Sequence, residues 1–186
     1  MRNMKSRLSL LTGLMALLLL AGRAHAAPFD QAFIDAMVPH HQGALMMANM
    51  AVKKAHTSEV RTLARKMVSD QKKEIAQMKA WRKAWYNSAQ TPSMMHDGDK
   101  MMMPGNMMGL PMKGEMDMGH LKNAKGRDFD KMFLKMMIPH HAGAILMGEE
   151  ALNVTGRKEI RALSHQIIAA QAREIGKMQN ILDRRF

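Results

Sequence analysis

The chain has 186 residues, a formal net charge of +12, 24 methionines and no cysteine. The lack of cysteine excludes disulfide bonds and a lipoprotein anchor. The length fits one compact domain after removal of a leader.

Residues 1–26 have the pattern of a secretory signal peptide. Basic residues precede an apolar run over residues 8–20, and a small-x-small sequence ends at Ala26. The run is too short for a comfortable membrane span and is followed by Arg23. We expect cleavage after Ala26, no stable membrane span afterwards, and a periplasmic or secreted protein. The mature domain is then residues 27–186.

Removal of the leader takes away four basic residues and lowers the net charge to about +8. Most of the remaining basic side chains fall on the exposed sides of predicted helices. They form either a solvated helix face or a surface for anionic membranes or cell-wall polymers. No nucleic acid partner is predicted.

Two halves of the mature chain repeat each other without a gap. The sequence Met-Val-Pro-His-His-Gln-Gly-Ala at residues 37–44 returns as Met-Ile-Pro-His-His-Ala-Gly-Ala at residues 137–144. About 18 of 58 aligned pairs between residues 29–86 and 129–186 are identical. We interpret this as a duplicated unit.

Each half has the apolar periodicity of a helical hairpin. In the first hairpin, residues 27–86, the spacing predicts helices over 29–54 and 58–86. Pro39 is predicted to kink the first helix without ending it, because the apolar stripe keeps its phase across it. Ser58 is the expected N-cap of the second helix. Residues 127–186 form the second hairpin, which gives an all-α, four-helix bundle.

A layer of polar residues interrupts the apolar seam at the same height in both hairpins. The return helices place Gln71 and Glu74, and their repeats Gln171 and Glu174, in an otherwise apolar heptad pattern. Helix rise brings these residues level with the histidine pairs, because both lie about 15 residues from the turn. The layer therefore contains four histidines, His40, His41, His140 and His141, and methionines bracket it, among them Met37, Met47, Met137 and Met147.

Two interpretations of this layer remain open. It is either a metal site, with the glutamines and glutamates as supporting residues, or a structural network in which the carboxylates accept hydrogen bonds from imidazoles. Adjacent histidines point about 100° apart on a helix, which argues against four ligands on one ion. Thioether and imidazole donors together favour copper, Cu(I) over Cu(II). A di-iron centre needs more carboxylates than the layer supplies.

Residues 87–126 differ in composition from both hairpins. They are rich in Met, Gly, Pro and Asp and show neither helical nor strand periodicity, so we expect a flexible linker. Its methionines are candidate ligands for Cu(I) or Ag(I), oxidant scavengers, or a partner-binding surface. The mixture with histidine favours metal, and the candidate ligands are Met94, Met95, His96, Met101, Met102, Met103, Met116, Met118 and His120.

The two Met-(Val/Ile)-Pro-His-His-x-Gly-Ala motifs, each followed by Gln-x-x-Glu-Ile-x-x-Met, resemble the bacterial family known as domain of unknown function 305. The resemblance covers residues 29–86 and 127–184. It implies a ferritin-like helical bundle, and a copper-binding role in some exported members linked to copper tolerance. It also implies a metal role for the paired histidines, with the bracketing methionines as helpers.

The sequence thus predicts an exported copper-binding protein for copper buffering, handling or tolerance, with silver as the other candidate ion. Its expected partners are metal ions and exported copper-handling proteins. No nucleophile–base set or phosphate-binding loop occurs, so we expect a binding protein and not an enzyme. The alternatives are a methionine-based oxidant scavenger with a structural histidine layer, and a di-iron ferritin-like protein.

Overall fold

The computed structural model describes residues 29–92, 95–97, 100–102 and 115–186. The elements in chain order are α1 (Phe29–Lys54), α2 (Ser58–Tyr86), β1 (Met95–Asp97), β2 (Lys100–Met102), β3 (Glu115–Asp117), α3 (Met118–Asn123), α4 (Gly126–Val154) and α5 (Lys158–Arg185). α1 packs against α2, α4 packs against α5, and α1 and α4 join the two hairpins. The predicted four-helix bundle of two repeated hairpins is confirmed. No helix in the described ranges is long and apolar enough to cross a membrane.

The helix boundaries of the first hairpin agree with the sequence pattern. α1 runs unbroken through Pro39, as expected from the phase of its apolar stripe. The predicted N-cap of α2, Ser58, is wrong by one residue. Thr57 has the extended backbone of an N-cap, and its hydroxyl accepts a hydrogen bond from the amide of Val60. α2 ends at Asn87, whose left-handed φ of 56° is one that asparagine tolerates.

The core consists of two apolar clusters separated by the polar layer. The first cluster contains Ala44 of α1 and Phe133 of α4, and the second contains Phe33 of α1 and Ala144 of α4. Each of the four long helices contributes to both clusters and crosses between them at the layer. The two apolar blocks thus hold the polar side chains away from both ends of the bundle.

A reciprocal pair of aspartates connects the two hairpins. Asp130 of α4 is fully buried and accepts hydrogen bonds from the amides of His56 and Thr57 at 2.8 Å and from the Thr57 hydroxyl. Its repeat, Asp30 of α1, accepts from the hydroxyl of Thr155 and from Nε of Arg157 at 3.1 Å. Each hairpin thus supplies the carboxylate that satisfies the turn of the other.

The segment between the hairpins has more regular structure than its composition predicts. β1, β2 and β3 form a three-stranded antiparallel sheet in that order, with Met95 opposite Met102 and Met101 opposite Met116. α3 also joins the core, which a flexible linker does not do. Met118 and Leu121 are 8% and 0% exposed and pack in the first cluster, because two apolar residues three apart share one helix face.

The aspartate arrangement predicts unequal losses of stability in the two halves. Asp130→Ala leaves the part-buried amide donors of His56 and Thr57 unpaired and should lower the free energy of unfolding by about 2–4 kcal/mol in urea titrations. Asp30→Ala is the matched control. It should cost less, because Arg157 is 40% exposed at its side chain and can return to water. Equal costs, or a cost below about 0.5 kcal/mol for Asp130→Ala, would contradict this account of the turns.

Candidate metal centre

His41 and His141, the second histidine of each pair, are the outer histidines of the layer. Each contacts a glutamate on the return helix of its own hairpin. His41 Nε2 lies 2.6 Å from Glu74 Oε2, and His141 Nε2 lies 2.9 Å from Glu174 Oε2. Both imidazoles are completely buried. The predicted alignment in height of the histidines with the polar residues of α2 and α5 is confirmed by these contacts. Here the layer does contain a histidine–carboxylate network, as one of the two interpretations requires.

The inner histidines have a different environment. His40 and His140 meet across the α1–α4 interface with ring centroids 3.9 Å apart and an interplanar angle of 48°. Among the described residues no hydrogen-bond partner is found for Nδ1 of His40 or for either ring nitrogen of His140. Buried polar atoms without partners cost free energy, so natural cores usually avoid them. Each neutral inner ring has one nitrogen with a free lone pair, and a ring nitrogen without a partner is available to bind a ligand.

The electrostatics of the layer keep the inner imidazoles neutral. Burial lowers the pKa of both His40 and His140 well below the ordinary value of 6.5, and the neighbouring histidines lower it further. A neutral imidazole is the form that binds a metal ion, because a protonated ring has no free lone pair on the second nitrogen. The layer therefore maintains ligand-competent histidines at neutral pH.

Thioethers lie on both sides of this layer. Met47, Met67, Met137 and Met178 belong to the first cluster, and Met37, Met78 and Met147 belong to the second. All seven are at most 3% exposed. Met37 thus shares a cluster with Met147, and Met137 shares a cluster with Met47. This follows from the antiparallel arrangement of α1 and α4.

The structure brings only part of the predicted ligand set together. The four histidines and the pairs Gln71–Glu74 and Gln171–Glu174 form the layer, with Met37, Met47, Met137 and Met147 in the flanking clusters. Met118 lies in the first cluster, and His120 lies exposed on α3. Strand positions are described for Met95, His96, Met101, Met102 and Met116, whereas Met94 and Met103 lie outside the described residues.

The predicted ligand set lacks three methionines of the return helices. Helix rise places Met67 and Met78 among the methionines that bracket the layer, and Met178 belongs to the apolar seam, but none of them is among the predicted ligands. Each lies four residues from a glutamine or glutamate of the layer, and this spacing is the signal that adds them. Ser164 is fully buried, and no partner for its hydroxyl lies in the described part of the chain. Its repeat is Ala64, so nothing in the duplication marked it.

The donor set fits a soft ion that accepts nitrogen and sulfur. Within the described ranges, no group of three or more His, Cys, Asp or Glu side chains has the geometry to hold a metal ion. Thioether sulfurs lie outside that set and surround the layer on both sides. The unpartnered nitrogens of His40 and His140, together with these sulfurs, suit a Cu(I)-like ion of low coordination number.

The low pKa values predict how the stability of the metal-free protein depends on pH. In the unfolded chain His40 and His140 titrate near 6.5, so below that pH the unfolded state binds protons that the folded state does not. The free energy of unfolding should be greatest above about pH 6.5. As the pH decreases below 6.5, this free energy should decrease by up to about 1.4 kcal/mol per pH unit for each histidine.

Urea unfolding between pH 5 and 8 measures this slope. The double variant His40→Gln/His140→Gln should have a shallower slope than the parent protein. His165→Gln, at an exposed position of α5, is the control and should leave the slope unchanged. A parent slope that the double variant retains would show that other groups cause the acid sensitivity.

Comparison with known proteins agrees with this architecture. Residues 30–182 match the family model described as domain of unknown function 305 (DUF305). The Cu(II)-bound structure of CopM is 36% identical and has a TM-score of 0.71, with 84% of this chain and 97% of that chain covered. Its Cu(I)-bound form is 34% identical, with a TM-score of 0.68 and coverages of 83% and 96%.

Two further relatives are more distant or shorter in overlap. A DUF305 protein from Streptomyces coelicolor is 25% identical, with a TM-score of 0.71 and coverages of 85% and 92%. An uncharacterised protein of Acanthamoeba polyphaga mimivirus is 45% identical over 56 residues, 30% of this chain. The match spans 37% of that curated relative's length. The family match covers most of the described bundle, and the chain belongs to the DUF305 family.

Proposed function

We propose that this protein binds copper, with Cu(I) preferred over Cu(II), at the polar layer of the bundle. His40 and His140 are the principal imidazole ligands, and thioethers of the flanking clusters complete the coordination. The supporting observation is the pair of buried inner histidines with unpartnered nitrogens at the interface of the two hairpins. His41 and His141 are oriented by their glutamates and form the surrounding shell.

The choice of ion follows from the softness and charge of the donors. Neutral imidazoles and thioethers bring no negative charge, which suits a monovalent soft ion better than a hard divalent one. The solved relatives named CopM hold Cu(I), Cu(II) or silver, and they cover most of this chain. We infer that silver enters the same site, because Ag(I) shares the ligand preference of Cu(I).

The cellular role we propose is copper buffering or handling outside the cytoplasm. The leader-like pattern of residues 1–26 supports export, and residues 27–186 then act as one domain. The Met-rich segment 87–126 supplies a second set of thioethers that exchange copper with the solvent or with exported copper-handling proteins. We propose a binding protein and not an enzyme, since the layer presents ligands and no nucleophile–base set.

The two alternatives are less well supported by the same geometry. A sacrificial methionine must be reached by the oxidant, whereas the methionines buried in the two clusters are at most 8% exposed. A di-iron centre of the bundle type uses four carboxylates, whereas the layer contributes Glu74 and Glu174, and each contacts a histidine. Copper binding therefore uses more of the observed donor set than either alternative.

The main experiment removes the inner histidines. His40→Gln/His140→Gln should weaken Cu(I) binding by about 100-fold or more in anaerobic competition with a chromophoric chelator. Helicity and metal-free stability at pH 7.5 should be kept, because Nδ1 of His40 and both ring nitrogens of His140 have no partner among the described residues. His165→Gln is the exposed control. Unchanged Cu(I) affinity in the double variant would place the tight site elsewhere and favour the structural network.

A second experiment separates the layer from the Met-rich segment. Because Met118 and Leu121 pack in the core, deletion of the whole segment would disturb the fold, and methionine-to-leucine replacement is safer. Replacement of these methionines by leucine should lower the number of Cu(I) ions bound and leave the affinity of the tightest site unchanged. The control is Met46→Leu on α1, a 41% exposed position. Loss of the tightest site would contradict the proposal. The replaced residues are Met94, Met95, Met101, Met102, Met103, Met107, Met108, Met112 and Met116.

A further inference from the structure

The two histidine–glutamate pairs of the layer differ in what surrounds their carboxylates. The Glu174 side chain is 7% exposed, and Lys66 Nζ lies 3.6 Å from its Oε1 while His141 contacts Oε2. The Glu74 side chain is 17% exposed and contacts His41. No lysine or arginine in the described part of the chain pairs with Glu74. One carboxylate is therefore fixed by a cation, and its repeat is not.

The aligned sequences of the two hairpins account for this difference. Lys66 also pairs with Asp70, four residues later on α2, so the lysine is held over the carboxylate of the other hairpin. The aligned positions of the second hairpin are Gln166 and Ala170, which cannot form the same pair. Lys66 thus covers the Glu174 side of the layer, whereas the aligned residues Gln166 and Ala170 place no lysine over Glu74.

The surface around Lys66 extends the asymmetry. A groove of about 580 Å³ lies between α2 and α5, and its basic lining residues are Lys66, Arg173 and Lys177. Its one acidic lining residue, Glu59, is paired with Arg184 and Arg185. At the aligned positions of the other half stand Gln166, Lys73 and Gln77, which carry one positive charge in place of three. A cation approaching the Glu174 side therefore meets a more positive surface.

We propose that soft monovalent cations reach the histidine layer past Glu74 and not past Glu174. The inference rests on the proposed copper function and adds a direction of uptake to it. The Glu74 carboxylate attracts the ion at the solvent edge, because no lysine or arginine of the described residues pairs with it. When this carboxylate moves away from His41, it takes the Nε2 proton with it, and the lone pair left on Nε2 can meet the arriving ion. On the other side, Lys66 repels the ion and holds Glu174 in place.

The test compares matched variants at the two repeated positions. Ag(I) is the probe, and every variant is made in the protein that has leucine in place of the methionines of the Met-rich segment. Stopped-flow fluorescence reports uptake through Trp81, which packs against the cluster that contains Met37 and Met78. Glu74→Gln should slow uptake about tenfold or more while the final amplitude is kept. Glu174→Gln removes the same kind of histidine contact on the other side, so it should also slow uptake, but at least about threefold less than Glu74→Gln.

A second test keeps Glu74 intact and copies the Lys66–Asp70 pair to the aligned positions of the second hairpin. This variant is the transplanted clamp. Gln166→Lys/Ala170→Asp should place a lysine over the Glu74 side and slow uptake, whereas Lys66→Gln should accelerate it by opening the Glu174 side. Thermal unfolding confirms that each variant is folded. If Glu74→Gln does not fold, the transplanted clamp decides the question, and an unchanged rate in that variant overturns the inference.

The outcomes separate this inference from the function on which it rests. Equal slowing by Glu74→Gln and Glu174→Gln, with silver bound at the layer, would overturn the direction of uptake alone. Binding at the layer is read independently from the imidazole NMR signals of His40 and His140. If those signals do not change with Ag(I), the proposed function itself fails.

Discussion

The burial of four imidazoles at the centre of a helical bundle is the constraint on which the rest of the structure depends. The outer imidazoles meet this constraint at Nε2, through carboxylates at 2.6 and 2.9 Å, and not at Nδ1. Nδ1 of His40 and both ring nitrogens of His140 also have no partner among the described residues, and each unpartnered buried group costs about 1–3 kcal/mol. The apolar clusters on both sides must offset that cost through their buried area. The metal-free bundle is thus held together by packing, with an unsatisfied centre that a ligand can stabilise.

The duplication determines where that centre lies. His40 and His140 belong to different hairpins, so an ion bound between them would also hold the hairpins together. Binding to the folded state alone adds to its stability. The same two hairpins already exchange caps through Asp30 and Asp130 at the turns. Association of the halves is therefore fixed at the turns by carboxylates and would be completed at the middle by a metal ion.

Periodicity predicted most of the fold because the apolar stripe of each helix keeps its phase on both sides of the polar layer. The bounds of α1 and α2 and the meeting of His41 with Glu74 follow from helix rise and hairpin length alone. Contacts between the halves were not predictable, since no periodic signal says which imidazole faces the other hairpin. A stripe of two residues, Met118 and Leu121, was too short to stand out in a Met-rich segment. The strands there pair through backbone groups that composition does not reveal.

The differences between the halves are as informative as their identity. Residues of the layer are constrained by each other, because a change in one leaves a buried partner unsatisfied, and the histidine, glutamine and glutamate positions are the same in both hairpins. Many surface positions outside the layer have no such coupling, and there the halves have diverged. Asp35 pairs with Arg82 in the first hairpin, whereas the aligned residues are Lys135 and Leu182. A duplicated centre enclosed by unequal surroundings keeps a symmetric ligand set while giving the ion two different approaches. A symmetric centre alone cannot provide directional uptake, so the direction must come from the residues outside it.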